Sequence, residues 1–368
     1  MVISESLAAS RRKNKYTRLK TKEMEMTPRE IILNQVQHRE TGIVPYTLPF
    51  EGDIEERLNA YFGNRTWQRR LKKYIAEIEI VHTMKKIPTH REGYHRDPYG
   101  SIWRMDQLPF HLEQPALATP SFAGYDWPAP ELFFASEEEI KQIRENLQRN
   151  SDEYFLVAWI GWGLFETSWG IRGFENVLMD VIAEPHFYEE LLDRIAQQFM
   201  AYINYTCDVM PELDAIIFGD DWGDQRGVII GPDRWRALFK HRYARIYEAV
   251  HARGKFVFSH CCGSIADIFP DIIEIKLDLL ESVQPEAAGM NPYELKRKWG
   301  DKIAFWGCLG SQSTIPFGTP ASIRDEVRKL RQNLGQGGGF ILAPAKALQP
   351  GTPIENAVAV VEAFAEDN

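Results

Sequence analysis

"GPDRWRALFKHRYARIYEAVHARGKFVFSHCCG", Gly231 to Gly263, contains both periods on which the fold turns. Up to Gly254 the apolar residues recur at the spacing of an amphipathic helix, and "KFVFS" then forms a short run rich in β-branched and aromatic residues that reads as a strand. A helix feeding directly into a buried strand is one half of a strand–helix–strand unit.

Working outward, the same alternation recurs. Eight strand-like runs stand out: Val44 to Leu48, Glu79 to Thr83, Phe155 to Ile160, Ala215 to Gly219, Lys255 to Ser259, Leu279 to Val283, Ile303 to Gly307 and Phe340 to Pro344. From Phe155 onward nearly every gap holds an amphipathic helix, and "TPASIRDEVRKLRQNLG" opens on Thr-Pro and closes on Gly, the expected start and stop signals. This pattern predicts an α/β fold of the (β/α)8 TIM-barrel type, with a doubly wound open sheet as the alternative. The gap from His90 to Glu131 is instead rich in proline, glycine and aromatics. It predicts an excursion over the barrel mouth with a small hairpin at "DPYGSIW".

Residues 1–26 are polar, basic in the middle and without apolar period, and are expected to form a loose extension; "TPRE" at Thr27 is a capping box that opens a single barrel domain spanning 27–368. Across 368 residues, 44% hydrophobic content supplies a core, and a net charge of −9 opposes a sequence-independent hold on nucleic acid. No run approaches the roughly 18 apolar residues of a membrane span, and the N-terminus lacks a secretory apolar core, so a cytoplasmic protein is expected. Four cysteines, Cys207, Cys261, Cys262 and Cys308, do not form a disulfide framework in a chain this long.

In a barrel, reactive groups gather at the C-terminal ends of the strands. His260 and Cys262 are two apart and should point the same way, with Cys261 opposite. Imidazole and thiolate suit zinc, and Cys308 at the end of another strand is a candidate third ligand. The bland alternative is a pair of buried thiols beside a hydrogen-bonded histidine. Asp220 and Asp221 are candidates for a base or a cation ligand, with Asp220 the one expected to face the pocket, unless one caps a turn and the other pairs with Arg226. Arg172 and Arg226 are candidate anion binders and Lys346 a candidate catalytic amine, against ordinary ion pairing. Glu166 and Gln284 are candidate polar contacts to substrate, and Trp222 a candidate apolar wall.

Several segments together resemble the uroporphyrinogen decarboxylase superfamily: "GLFETSWGIRGFENVLMDV" from Gly163, "FGDDWGDQRGVIIGPDRW" from Phe218, "FSHCCGSIADIF" from Phe258, "ESVQPEAAGMNP" from Glu281, "IAFWGCLGSQ" from Ile303 and "GGGFILAPAKALQPGTP" from Gly337. The resemblance implies a TIM barrel with its site at the C-terminal mouth. It is closer to the branch of cobamide-dependent methyltransferases, in which a zinc held by H-x-C and a distant cysteine activates a thiol. His260 and Cys262 match that pattern, whereas "APAKALQ" puts Lys346 in place of the distant cysteine. The resemblance therefore implies methyl transfer between a small methylated substrate and a corrinoid or thiol carrier, with zinc as a possible cofactor. The chain has no D-x-H-x-x-G corrinoid signature, so a corrinoid would arrive on a separate protein. The alternatives are metal-free decarboxylation of uroporphyrinogen or another polycarboxylate, and a non-catalytic ligand-binding barrel. The decarboxylase branch grips its tetrapyrrole with an N-terminal arginine segment that "VPYTLPFEGDIEERLNAYFGN" does not reproduce.

Overall fold

Thr27 opens the first helix, Pro28–Val36, as the capping box requires: its hydroxyl accepts the Glu30 N–H at 3.2 Å and its own N–H donates to the Glu30 carboxylate at 2.8 Å. Arg29 on that helix reaches across to Asp214 at 2.7 Å, whose other oxygen accepts the Leu156 N–H, fastening the N-terminal segment to the barrel. The computed structural model describes residues 26–148 and 153–366. The extension expected over residues 1–26 lies, apart from Met26, outside the described residues.

Among the described residues eleven strands form two sheets. In order they are β1 (Ile75–Glu79), β2 (Ile87–Pro88), β3 (Tyr94–Arg96), β4 (Ile102–Arg104), β5 (His111–Gln114), β6 (Phe155–Trp162), β7 (Ala215–Gly219), β8 (Phe256–His260), β9 (Leu279–Val283), β10 (Ala304–Leu309) and β11 (Phe340–Pro344). The seven-stranded sheet, β1-β6-β7-β8-β9-β10-β11, is parallel throughout. Residues 44–48 supply an eighth stave beside β11. There the Leu342 N–H donates to the Pro45 carbonyl and the Thr47 N–H to the Leu342 carbonyl, each at 2.9 Å. This is the TIM-barrel architecture the strand and helix periods predict.

The second stave is Ile75–Glu79, not the Glu79–Thr83 run. Glu77 alternates with Ala76 and Ile78, so the segment carries its acid on the inner face, a pattern that resembles a solvent-facing rim. Val81 instead pairs antiparallel with Phe134 as the chain leaves the barrel. The excursion that follows holds the antiparallel sheet β2-β3-β4-β5. Its β3–β4 hairpin turns through Asp97 to Ser101, with the Asp97 carboxylate accepting the Ser101 N–H at 2.9 Å and the Trp103 indole at 2.8 Å.

The excursion is tied down by Arg172 at the end of the helix Leu164–Arg172. Its guanidinium donates to the Ala118 carbonyl at 2.9 Å and pairs with Asp180 at 2.8 Å, with side-chain exposures of 5% and 4%. A buried pair is costly to break because the surviving charge has no water. Arg172→Ala is therefore expected to lower unfolding free energy by about 3–5 kcal/mol in urea denaturation.

Candidate functional site

The two adjacent aspartates after β7 divide the work. Asp220 is fully buried behind the barrel wall, where its carboxylate accepts the Phe165 N–H at 3.0 Å and the Glu166 N–H at 2.8 Å, capping the helix Leu164–Arg172 from another strand. The Trp222 indole donates to the same carboxylate at 2.7 Å, and the Tyr243 hydroxyl donates as well. Burial raises the acid to about 6 against the pull of these donors. A side chain at Gly163 would run into Asp220 and Tyr243, so the helix can approach this carboxylate only on glycine.

Asp221 turns the other way and lines the main cavity. It accepts the Cys262 N–H at 3.1 Å, and its second oxygen lies 3.4 Å from the Cys262 thiol. His260 Nε2 is 3.8 Å from Asp221. Gly223 and Gly263 explain the proximity: the backbones after β7 and β8 touch there, and a Cβ on Gly263 would overlap the Gly223 peptide. Thus His260 and Cys262 face the cavity while Cys261 is completely buried on the opposite side, as strand alternation predicts.

His260 is oriented from behind by the Glu281 carboxylate, which contacts Nδ1 and leaves Nε2 directed at Asp221. Burial opposes its protonation, but Glu281, Cys262 and Asp221 outweigh burial and hold the imidazole well above its ordinary pKa. One donor atom from each of Asp221, His260 and Cys262 lies within 4.8 Å of the others, a set able to hold a metal ion.

The cavity has a volume of about 740 Å³ and runs inside the barrel from this cluster to the junction of residues 44–48 with β1. Trp159, Trp162, Trp306 and Tyr46 form aromatic walls. Glu77 stands in the wall as well, open to water from the cavity yet enclosed by protein; burial and the Glu281 charge push it up, against Lys73. Exposed Lys72, Lys73 and Lys346 lie along the cavity edge.

The remaining candidates are scattered. Cys308 does not join His260 and Cys262: it is buried, its thiol is pushed up by burial, and its charged neighbour is Lys296 on the helix Pro292–Trp299. Gly307 and Cys308 both take positive φ, 121° and 77°, beside a register shift with β9, so the strand end is irregular where Cys308 was expected to face the common mouth. Trp222 is buried against Asp220, Gln284 is buried and accepts from Gln225 at 3.4 Å, and Arg226 is exposed on the loop beside Asp224. Glu166 lines a second cavity behind Trp162. Burial, then the charges of Asp221 and Asp220, raise it to about 9 against the pull of His260. Glu281 and Glu77 were not among the sequence candidates; a single acid inside an otherwise apolar strand, as in "LLESV", is the signal that finds the first of them.

An α/β barrel with a carboxylate–imidazole–thiol cluster at the C-terminal ends of its strands belongs to a recognisable class of barrel enzymes. Residues 163–366 match the family model for uroporphyrinogen decarboxylase (URO-D), and the chain belongs to that family. It is 25% identical over 201 residues to a uroporphyrinogen decarboxylase of Methylococcus capsulatus, covering 53% of each chain. It is likewise 25% identical over 186 residues to the methylcobamide:CoM methyltransferase MtaA of Methanosarcina barkeri, covering 50% of each. The chain thus spans about half the length of these sequence relatives. A methyltransferase structure from Methanosarcina mazei superposes with a TM-score of 0.67 at 18% identity, covering 92% of this chain and 98% of the other, which shows the shared fold. Among the described residues no helix is long and apolar enough to cross a membrane.

Asp220→Ala leaves two backbone N–H groups, an indole and a phenol without their acceptor, each costing about 1–3 kcal/mol when buried. The variant is expected to show a markedly lower thermal midpoint, read by circular dichroism; an unchanged midpoint would remove the pinning role.

Proposed function

We propose that this chain is a methyltransferase that moves a methyl group between a small methylated substrate and a thiol or corrinoid carrier. The observation that carries this reading is the Asp221–His260–Cys262 cluster facing the cavity, with His260 aimed by Glu281. Carboxylate oxygen, imidazole nitrogen and thiolate sulfur fit zinc, three protein ligands leave a position open, and a histidine braced by a carboxylate is the usual second layer of such a centre. Asp221 takes the place in the donor set for which Cys308 was the candidate. Bound zinc would supply a Lewis acid that keeps a thiol deprotonated at neutral pH.

The chain's own groups do the rest. Glu281 fixes which imidazole nitrogen is presented; Asp221 anchors the Cys262 backbone, and so the thiol, next to it. The tryptophan walls exclude water from a nucleophile, which strengthens the local electrostatics. Glu77 adds a carboxyl group to the cavity wall, within reach of a guest and raised in pKa by burial and by the Glu281 charge. A corrinoid would come from a separate carrier protein at the open end of the cavity.

Sequence identity favours neither branch of the family, since both relatives stand at 25%. The depth of the cavity does: beside the cluster its described lining carries Glu77, Asp221 and Glu281 and no arginine, with Lys72, Lys73 and Lys346 only along the exposed edge, so a tetrapyrrole bearing many carboxylates would meet acids where it has to enter deepest.

Elemental analysis is expected to find about one zinc per chain in protein purified without added metal, lost in Cys262→Ala. Glu281→Gln is expected to weaken metal binding by about 10–100-fold. Demethylation of methylcobalamin by a small thiol, followed by visible absorbance, should disappear in the His260→Ala, Cys262→Ala double variant. Normal turnover by that variant, or consumption of a porphyrinogen by metal-free protein, overturns the reading.

A further inference from the structure

Behind Trp162 lies a second cavity of about 250 Å³, walled on one side by the hairpin excursion and on the other by the helix Leu164–Arg172. Tyr99, Trp103 and Phe110 come from the excursion, Trp162 and Trp169 from the barrel side. Aromatic rings make up the largest share of the walls, with Thr83, Met84, Thr167 and Gly170 between them; the walls carry two carboxyl groups, Asp97 and Glu166, and neither lysine nor arginine. Asp97 is satisfied by Ser101 and Trp103. Glu166 is satisfied on one side only: the Asp221 backbone N–H donates to its carboxyl group, but its Oε2 is buried and has no hydrogen-bond partner. Asp220 and Asp221 add like charge from behind.

A buried, unpartnered carboxyl oxygen among aromatic rings is an unusual expense for a protein. A neutral apolar guest would fill the space and leave that oxygen unpaired. An anion would be repelled, and a primary ammonium would have to turn part of its hydrogen-bonding shell toward the ring faces and Met84, which accept from it only weakly. A methylated ammonium has few or no N–H groups to satisfy, presents apolar methyls to the walls, and is attracted both by the ring quadrupoles and by the negative oxygen ends of the Asp97 and Glu166 carboxyl groups. The volume is below that of drug-sized sites and suits a small ligand. We infer that this aromatic chamber binds a small methylated ammonium cation, recognised by its charge and its methyl groups together.

The chamber shares Trp162 with the main cavity, and that ring stacks edge-on against His260 at 5.9 Å. Such a ligand would therefore sit beside the cluster assigned above to methyl transfer. The inference deepens that reading and rests on it for the ligand's biological meaning, while binding itself can be tested apart from it.

The test is calorimetric titration of the full-length protein with choline chloride and with 3,3-dimethylbutan-1-ol, which has the same shape without the charge. Choline is expected to bind saturably and at least about tenfold more tightly than the alcohol. Phe110→Ala, on a half-exposed ring whose loss does not open the core, and Glu166→Gln should each weaken choline by about tenfold. Cys262→Ala should keep choline binding while losing metal, so the two readings fail separately. Equal binding of the two probes, no saturable choline binding, or indifference to both Phe110→Ala and Glu166→Gln would overturn the inference.

Discussion

The carboxylate of Asp220 is the point on which the site depends. It is spent entirely inside the wall, closing the N-terminus of the helix Leu164–Arg172 and collecting the donors of Trp222 and Tyr243. Because consecutive residues at a strand end point to opposite faces, fixing Asp220 outward commits Asp221 to the cavity. The Gly223–Gly263 contact then brings the next loop against it, and Cys262 arrives with its N–H on the Asp221 carboxylate. The cluster is thus a by-product of packing between β7, β8 and one helix, and its geometry is as rigid as that packing.

Much of the barrel is legible in the sequence because its signals are local. Strand runs, helix caps and the two-residue spacing of His260 and Cys262 each depend on neighbours a few positions away. What could not be read depends on distant parts of the chain. Which of Asp220 and Asp221 turns inward is decided by an incoming helix end some 55 residues earlier in the chain. Glu77 hid in a stave placed a few residues too late, because an acid lining a wet interior has the same alternation as one facing bulk solvent. Cys308 was a candidate because it ends a strand at the same mouth, but Gly307 and Cys308 adopt positive φ there and the thiol is buried away from the cluster.

The charge layout follows from the same geometry. Carboxyl groups concentrate within the barrel, at Glu77, Asp221 and Glu281, whereas exposed lysines line the cavity's edge. Burial and a neighbouring acid raise the pKa of Glu77 and of Glu166, and Glu281 and Asp221 raise that of His260 against burial, a pattern typical of functional sites more than of structural cores. The wall arginine, by contrast, is fully occupied in holding the excursion to the barrel.

Trp162 stands in the walls of both cavities and against His260. A partition made of one side chain turns two chambers into thermodynamically linked compartments. If filling one chamber shifts the ring, occupancy there changes affinity in the other, and linkage requires the reverse effect to have the same magnitude. A protein built this way can make its two guests report on each other without any movement of its backbone.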